Sequence, residues 1–365
     1  MESRYDFKEI EEKNYKLWEE GGYFNRDNLE NADPEKVFSM VLPPPNVTGT
    51  LHMGSAAMLV IEDIMARYHR MNGYKTLWLP GTDHAAIATQ AKVEKELYKK
   101  EKKTRHDFGR EKFLERVNEF AESNKATILN QIKKMGSSVD WSRLAFTLDE
   151  PRSHAVRTAF KNMYNDGLIY RKERVINWDP KGQTTISDDE IVHEEREATL
   201  YTFKYSKDFP IAISTTRPET KLGDTAVAVN PKDKRYKKFV GQVYKANFCG
   251  IALEIKIVAD ESVDQSFGTG ALGVTPAHST IDAEIAERHG LPLKQVINEY
   301  AKMTVGDEKI LGKKTTEARK VIVEWLNAEG LLEKEEKIKH NVATSERTGA
   351  IVEPLPKLQL VYRRK

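Results

Sequence analysis

The chain has 365 residues, enough for two or three domains with sizeable cores. Its 58 Lys and Arg against 56 Asp and Glu leave a net charge of +2, so the whole chain does not announce a nucleic-acid binder. Any RNA contact must come from local patches. One cysteine, Cys249, excludes an internal disulfide framework and a cysteine-only zinc site, and suits a reducing cytoplasm.

No apolar run approaches the roughly 18 residues of a membrane span. Glu2, Asp6, Glu9, Glu11 and Glu12 argue against a signal or transit peptide at the N-terminus. Residues 5–20 suit an amphipathic helix (Tyr5, Ile10, Tyr15, Leu17, Trp18) closed by Gly21-Gly22. Val37 to Leu42 is an apolar run of strand length, stopped by Pro43-Pro44-Pro45. After a glycine-punctuated turn, Ala56 to Arg70 reads as a helix. Its apolar face comprises Ala56, Val60, Ile64 and Tyr68, flanked by Ala57, Ile61 and Met65.

Strand, glycine turn and helix together aim backbone N–H groups and a helix N-terminus at an anion. Gly49 and Gly54 have the separation of a Walker loop, but Ser55-Ala56 stands where Lys-Ser/Thr is needed, and there is no Gly-x-Gly-x-x-Gly. His52 is a donor able to meet a phosphate as it gains charge. A histidine near a helix start also serves as a surface or capping residue. Lys75 to Leu79 is a second strand, with Pro80 to His84 at the end where ligands bind in open α/β sheets. Two strand ends thus converge on one crevice.

Segments 87–101 and 109–135 read as charged helices, and the basic run from Lys99 to Arg105 as a solvated helix end. Pro151 to Asp166 is another helix, with proline in its first turn. Leu168 to Tyr170 and Val175 to Trp178 are strand-like. After about Glu195 short β segments dominate: 200–205, 211–215, 225–229, 242–246, 251–258 and 271–275, with helices at 281–289 and 315–328. The expected division is a first domain over 1–194, an inserted β-rich domain over 195–338, and a return segment over 339–365.

Pro43-Pro44-Pro45-Asn46-Val47-Thr48-Gly49, His52-x-Gly54 and Gly81-Thr82-Asp83-His84-Ala85 resemble the class I aminoacyl-tRNA synthetases, on their valyl branch. Isoleucyl and leucyl relatives usually carry Trp and Gly where this chain has Thr82 and Ala85. The resemblance implies an α/β fold: an incomplete Rossmann-like parallel sheet with an inserted, barrel-like α+β editing domain. It implies ATP-dependent activation of valine, with Mg²⁺ arriving on the ATP, and transfer to the acceptor end of tRNA(Val).

By position, His52, Gly54 and Ser55 match the phosphate-binding signature, where Ser55 replaces the family's second His or Asn. Pro43, Asn46 and Asp83 match the valine pocket, with Asp83 on the α-ammonium group. The bland reading of Asp83 is a turn-capping carboxylate. The family's Lys-Met-Ser-Lys-Ser loop does not occur here. The resemblance therefore implies that the chain by itself does not complete aminoacylation, and that a missing C-terminal half is a partner.

Ser214 to Thr220 and Phe267 to Asp282 resemble the synthetase editing domain, which hydrolyses threonine from tRNA(Val). A second site is needed because a hydrophobic pocket rejects an added hydroxyl poorly. No Ser-His-Asp or Cys-His set is evident, so a positioned water is the expected nucleophile. The resemblance places Asp282 on the substrate ammonium group. Thr215, Thr216, Arg217 and Thr220 fall beside the terminal adenosine and side-chain pocket, and Thr275 and His278 on the opposite wall.

Gly273 and Ser279 stand where Lys and Asp are common, a change that is either compensatory or weakens hydroxyl recognition. Asp179-Pro180-Lys181-Gly182 and Ser345-Glu346-Arg347-Thr348 lie where some relatives carry Cys-x-x-Cys pairs, so no protein-bound zinc is expected. Two alternatives stay open: a stand-alone trans-editing deacylase, and a non-enzymatic fragment binding tRNA or a protein partner.

Overall fold

The computed structural model describes residues 7–363; Glu2, Tyr5, Asp6 and Lys365 lie outside the described residues. The chain divides into two units, Met1–Asp166 and Gly167–Lys365.

The first unit opens with α1 (Phe7–Glu20). Tyr15 is buried and donates to Ser137 O at 2.8 Å, while Ile10 and Leu17 are exposed. β1 (Asp33–Val41), α2 (Met53–Met71) and β2 (Tyr74–Leu79) form a crossover unit whose two strands run parallel, with Val41 opposite Leu79. β3 (Gly81–Thr82) follows, then α3 (Ala86–Glu101), α4 (Arg105–Phe108), α5 (Arg110–Lys134), β4 (Ala145–Phe146) and α6 (Glu150–Asn165). β3 pairs with β4 in parallel. The core gathers Leu42, Val47, Leu59, Ala66, Trp78, Ile128, Ile132 and Val139.

α2 departs from its sequence pattern. Leu59 and Ala66 are its buried residues, whereas Val60, Ile61, Ile64, Met65 and Tyr68 are exposed. Polar side chains hold the helix to the unit instead. Glu62 accepts from Trp78 Nε1 at 3.0 Å, Asp63 accepts from Ser138 N at 2.8 Å, and Arg70 donates to Ser138 O at 2.8 Å. Periodicity finds an apolar face but cannot say which surface covers it.

The second unit begins with β5 (Ile169–Asp179), β6 (Thr184–Thr185), β7 (Ile191–Phe203) and β8 (Ile213–Thr215). β9 (Ala226–Val229), β10 (Val243–Phe248), β11 (Ile251–Ala259), β12 (Ala271–Val274), α7 (Thr280–His289) and α8 (Thr315–Ala328) follow, then β13 (Leu332–Ser345) and β14 (Glu353–Tyr362). Three sheets result, ordered β10-β11-β9-β12, β13-β7-β8 and β14-β5-β6. β11 runs parallel to β9, and the other neighbours are antiparallel.

Along β11, Leu253, Ile255 and Ile257 are buried between exposed Glu254 and Lys256, a period of two. β9 is buried on both faces. Val227 and Val229 join the main core with Phe203, Phe248 and Ile322, while Ala226 and Ala228 leave room for Ile285 of α7. β5 is one strand where the sequence suggested two. β13 pairs with β7, and β14 with β5, inside the second unit.

Candidate functional site

In the first unit the ends of β1 and β2 are tied by backbone hydrogen bonds. Leu42 N donates to Leu79 O at 2.9 Å, Asp83 N to Pro45 O at 2.8 Å, and Val47 N to Asp83 O at 2.9 Å. The last two form a parallel bridge between Asn46 and Asp83. The loop after Leu42 and the loop after Leu79 thus meet, with Pro43 and Asn46 exposed.

Asp83 Oδ1 accepts from Ala85 N at 3.0 Å and from Thr147 Oγ1 at 2.9 Å. Thr147 Oγ1 also takes the His84 backbone N–H at 2.9 Å and lies 2.5 Å from His84 Nδ1. Thr147 orients both residues, and sequence reading missed it. It lies 64 residues from Asp83, and nothing local marks it.

His52 is the N-cap of α2. Its Nδ1 accepts from Ser55 N at 3.3 Å, which leaves Nε2–H as the donor of the neutral ring. The helix starts at Met53, three residues before the Ala56 read from the sequence. Ser55 therefore contributes its N–H, not its hydroxyl. A Cβ at Gly54 would come within 3.1 Å of the His52 ring, a second reason for glycine there.

In the second unit Thr215 Oγ1 accepts from Arg217 N at 3.0 Å, Thr220 Oγ1 donates to Arg217 O at 3.0 Å, and Thr216 is half-buried. Arg217 donates to Glu353 at 2.5 Å and to Glu219 at 3.3 Å, while Arg319 grips Glu219 through two bonds of 2.8 and 2.7 Å. Burial pulls the Arg217 guanidinium towards losing its proton, but Glu353 and Glu219 more than offset this and raise its pKa. Burial raises the pKa of Glu353 against the pull of Arg217.

Thr275 N donates to Asp282 Oδ2 at 2.7 Å, and Ser279 Oγ to Asp282 Oδ1 at 3.0 Å. Asp282 N in turn donates to Ser279 Oγ at 3.2 Å, capping α7. Thr275 Oγ1 lies 3.4 Å from Thr220 Oγ1, so these three predicted residues do come together.

The backbone N–H of His278 donates to Thr275 O at 3.0 Å, but its ring turns to other partners. Its Nε2 accepts from Val296 N at 2.9 Å and Ile297 N at 3.2 Å, and its Nδ1 faces Pro354 O at 3.2 Å. Burial, then the nearby Arg217 charge, depress its pKa to about 3, so it is a neutral ring with both nitrogens engaged.

Behind Thr275 lies a polar group that sequence reading overlooked. Buried Lys221 Nζ donates to Gly273 O at 2.6 Å and Thr275 Oγ1 at 2.9 Å, and lies 3.4 Å from Asp224 Oδ1. Asp224 accepts from the hydroxyls of Thr275 and Tyr205. Burial raises Asp224 to about 6 against the pull of Lys221, and holds Tyr205 well above its usual range. No side chain fits at residue 273: a Cβ would meet Tyr205 Oη at 2.5 Å and Asp224 Oδ2 at 2.6 Å. A cation nevertheless reaches this place, from residue 221. The signal was a lysine three residues before an aspartate (Lys221, Asp224) in a stretch that is otherwise buried.

Asp179 is buried where the two turns flanking it meet. Oδ1 accepts from Lys181 N at 2.9 Å and Gly182 N at 2.8 Å, and Oδ2 from Ser345 Oγ at 2.7 Å and Thr348 Oγ1 at 2.8 Å. One carboxylate and two hydroxyls do not fit a structural zinc, which takes thiolates and imidazoles. No group of three or more His, Cys, Asp or Glu able to hold a metal occurs among the described residues.

A family profile described as tRNA synthetases class I (I, L, M and V) matches residues 13–247. The chain belongs to the class I tRNA synthetase family. Among curated proteins this synthetase chain is similar to a valine–tRNA ligase of Thermotoga maritima, at 47% identity over 97% of the chain and 40% of the relative. It is 46% identical to that of Symbiobacterium thermophilum over 99% of the chain, and 48% identical to that of Carboxydothermus hydrogenoformans over 97%, again 40% of each relative. The chain thus spans about 40% of the length of the curated relatives it matches. Among solved structures it is similar to a LeuRS–tRNA–LeuAMS ternary complex from Agrobacterium radiobacter K84, at 17% identity over 95% of this chain and 49% of that one. The TM-score is 0.43. No helix among the described residues is long and apolar enough to cross a membrane.

Proposed function

We propose that the first unit carries the valine- and ATP-binding part of a valine–tRNA ligase, and that residues 195–338 hydrolyse threonine wrongly attached to tRNA(Val). The observation that carries the reading is the Asn46–Asp83 backbone bridge at the ends of two parallel strands. It seats an oriented carboxylate beside the loop that leads into the capped start of α2. Asp83 Oδ1 is occupied by Ala85 N and Thr147 Oγ1, so Oδ2 receives the α-ammonium group of valine in a charge-assisted bond. Pro43 and Asn46 line the amino-acid side. His52 presents Nε2–H to the α-phosphate of ATP, which enters with Mg²⁺ as substrate, while Gly54 and Ser55 keep the helix start narrow.

In the second unit Lys221 and Asp224 fix the rotor of the Thr275 hydroxyl, and Asp282 holds the Thr275 backbone. Thr215, Thr216, Arg217 and Thr220 flank this point. The neutral His278 lends shape and not protons. The reaction takes place in the cytoplasm, where ATP and the tRNA(Val) acceptor end are found. The exposed apolar face of α2 fits a covering polypeptide, namely the remaining part of the catalytic fold in the longer relatives.

Two measurements test the reading. A non-hydrolysable valyl-adenylate analogue should bind the chain in a calorimeter and bind at least tenfold more weakly to Asp83→Asn. Threonyl-tRNA(Val) should be deacylated by the chain and not by Asp282→Ala. Turnover no faster than buffer removes the editing assignment, and an analogue that does not bind removes the activation assignment. The second unit encloses its own cores, which favours a second reading as a hydrolase alone. Deacylation without analogue binding would select it.

A further inference from the structure

We propose that His84 governs the hold of Asp83 on the ammonium group of valine: the neutral ring anchors the carboxylate through Thr147, and the protonated ring competes with the ligand for its charge. This rests on the valine-binding reading of the first unit and adds a positioning residue to it.

The hydrogen bonds around Thr147 fix the tautomer of the ring. Thr147 Oγ1 has one proton, and the Asp83 carboxylate, which can only accept, takes it at 2.9 Å. The same oxygen must then accept from its other two partners, the His84 backbone N–H at 2.9 Å and His84 Nδ1 at 2.5 Å. Nδ1 therefore carries the proton of the neutral ring, and Nε2 is bare. His52 has the opposite tautomer, because its Nδ1 accepts from Ser55 N.

The ring is held in place without being sealed off. The His84 carbonyl accepts from Thr89 Oγ1 at 2.7 Å, and Thr147 N donates to Thr82 O at 3.1 Å. Phe146 of β4 meets the ring edge-on, with centroids 6.3 Å apart. The side chain is still 33% exposed, so it exchanges protons with solvent.

Nδ1 lies 3.4 Å from Asp83 Oδ1. On protonation the ring keeps every bond described above and gains a full positive charge beside the carboxylate. A carboxylate already faced by one cation at that distance attracts a second less strongly. The other charged groups nearby leave that pairing open. Lys125 of α5 lies 4.9 Å from the centre of the Phe146 ring and pairs with Glu122, while Asp149 is engaged by Phe146 N and by Arg152, both at 3.0 Å. Histidine is the side chain that changes charge between roughly pH 5 and 8, so the competition falls in an accessible range.

The test is calorimetric titration of the full chain with the non-hydrolysable valyl-adenylate analogue at pH 7 and at pH 5.5. An α-amino group, with a pKa of about 8, stays charged over this interval. Wild-type affinity should fall by about three- to fivefold on acidification. A desamino analogue, which offers Asp83 no cation, should bind equally at both pH values. Because these two ligands are compared on the wild-type chain, the test stands even where a variant fails to fold. His84→Asn keeps a donor at the Nδ1 position and takes up no proton, so its affinity for the amino analogue should be the same at both pH values. A wild-type affinity that does not fall, a fall that persists in His84→Asn, or an equal fall with the desamino analogue would overturn the role of His84 and leave the valine-binding reading standing. A wild-type chain that binds neither analogue at either pH would sink both.

Discussion

In the first unit the candidate residues stand on loops at open strand ends, exposed or half-buried, and backbone hydrogen bonds between those loops fix them. In the second unit Thr220, Thr275 and Asp282 are buried, and side-chain bonds that reach Lys221, Asp224 and Tyr205 fix them. The difference shows in how each site absorbs replacement. Ser55 changes a side chain that its backbone does not need, since its N–H still caps onto His52. Gly273 belongs to a buried charged group, in which its carbonyl accepts from Lys221 Nζ at 2.6 Å.

The contrast can be broken most forcefully at Arg217. Arg217→Ala leaves Glu353 buried without its partner and should cost about 3–5 kcal/mol in urea unfolding of the second unit. A loss below about 1 kcal/mol would mean that the network is not what holds that site. In the first unit, Leu59→Ala should cost about 2–5 kcal/mol, whereas Ile64→Ser on the exposed face of α2 should stay within about 0.5 kcal/mol. Equal losses would show that the apolar face is covered after all.

The buried titrating groups sharpen the comparison through pH. Asp224 is raised from 3.8 to about 6, so the folded state holds its proton more tightly than the unfolded chain, and stability falls as pH rises through that interval. His278 is lowered from 6.5 to about 3, so its stabilisation is complete above 6.5 and is lost as pH falls towards 3. Between pH 4 and 6 the two oppose each other. Asp224→Asn should steepen the loss of stability on acidification, and His278→Gln should flatten it, read as denaturation midpoints across that range. Thr147→Val, which removes one donor from Asp83, should weaken the valyl-adenylate analogue by about fivefold with little change in melting temperature.

Much of this was legible in the sequence because the signals were local. Pro43-Pro44-Pro45 ends β1, and the run Thr315–Ala328 is α8 to the residue. The helices read at 87–101 and 109–135 and the short strands of the second unit also announce themselves by period and turn residues. The meeting of two strand ends followed from the parallel crossover. What escaped was non-local or polar. β13 and β7 pair over thirteen residues, yet much of that ladder is Glu, Lys and Arg, such as Lys339 facing Glu197 and bonded to Glu195 at 2.8 Å. Strands held by backbone pairing and cross-strand charge have no apolar alternation to read. The outward apolar face of α2 and the part played by Thr147 are set by residues far along the chain.

The Asp179 clasp carries a practical consequence for the cell. Two turns more than 160 residues apart are fastened by oxygen and nitrogen atoms that every ribosome supplies with the chain itself. Zinc scarcity, chelators and oxidants all undo thiolate clusters, but they have nothing to remove or oxidise at this junction.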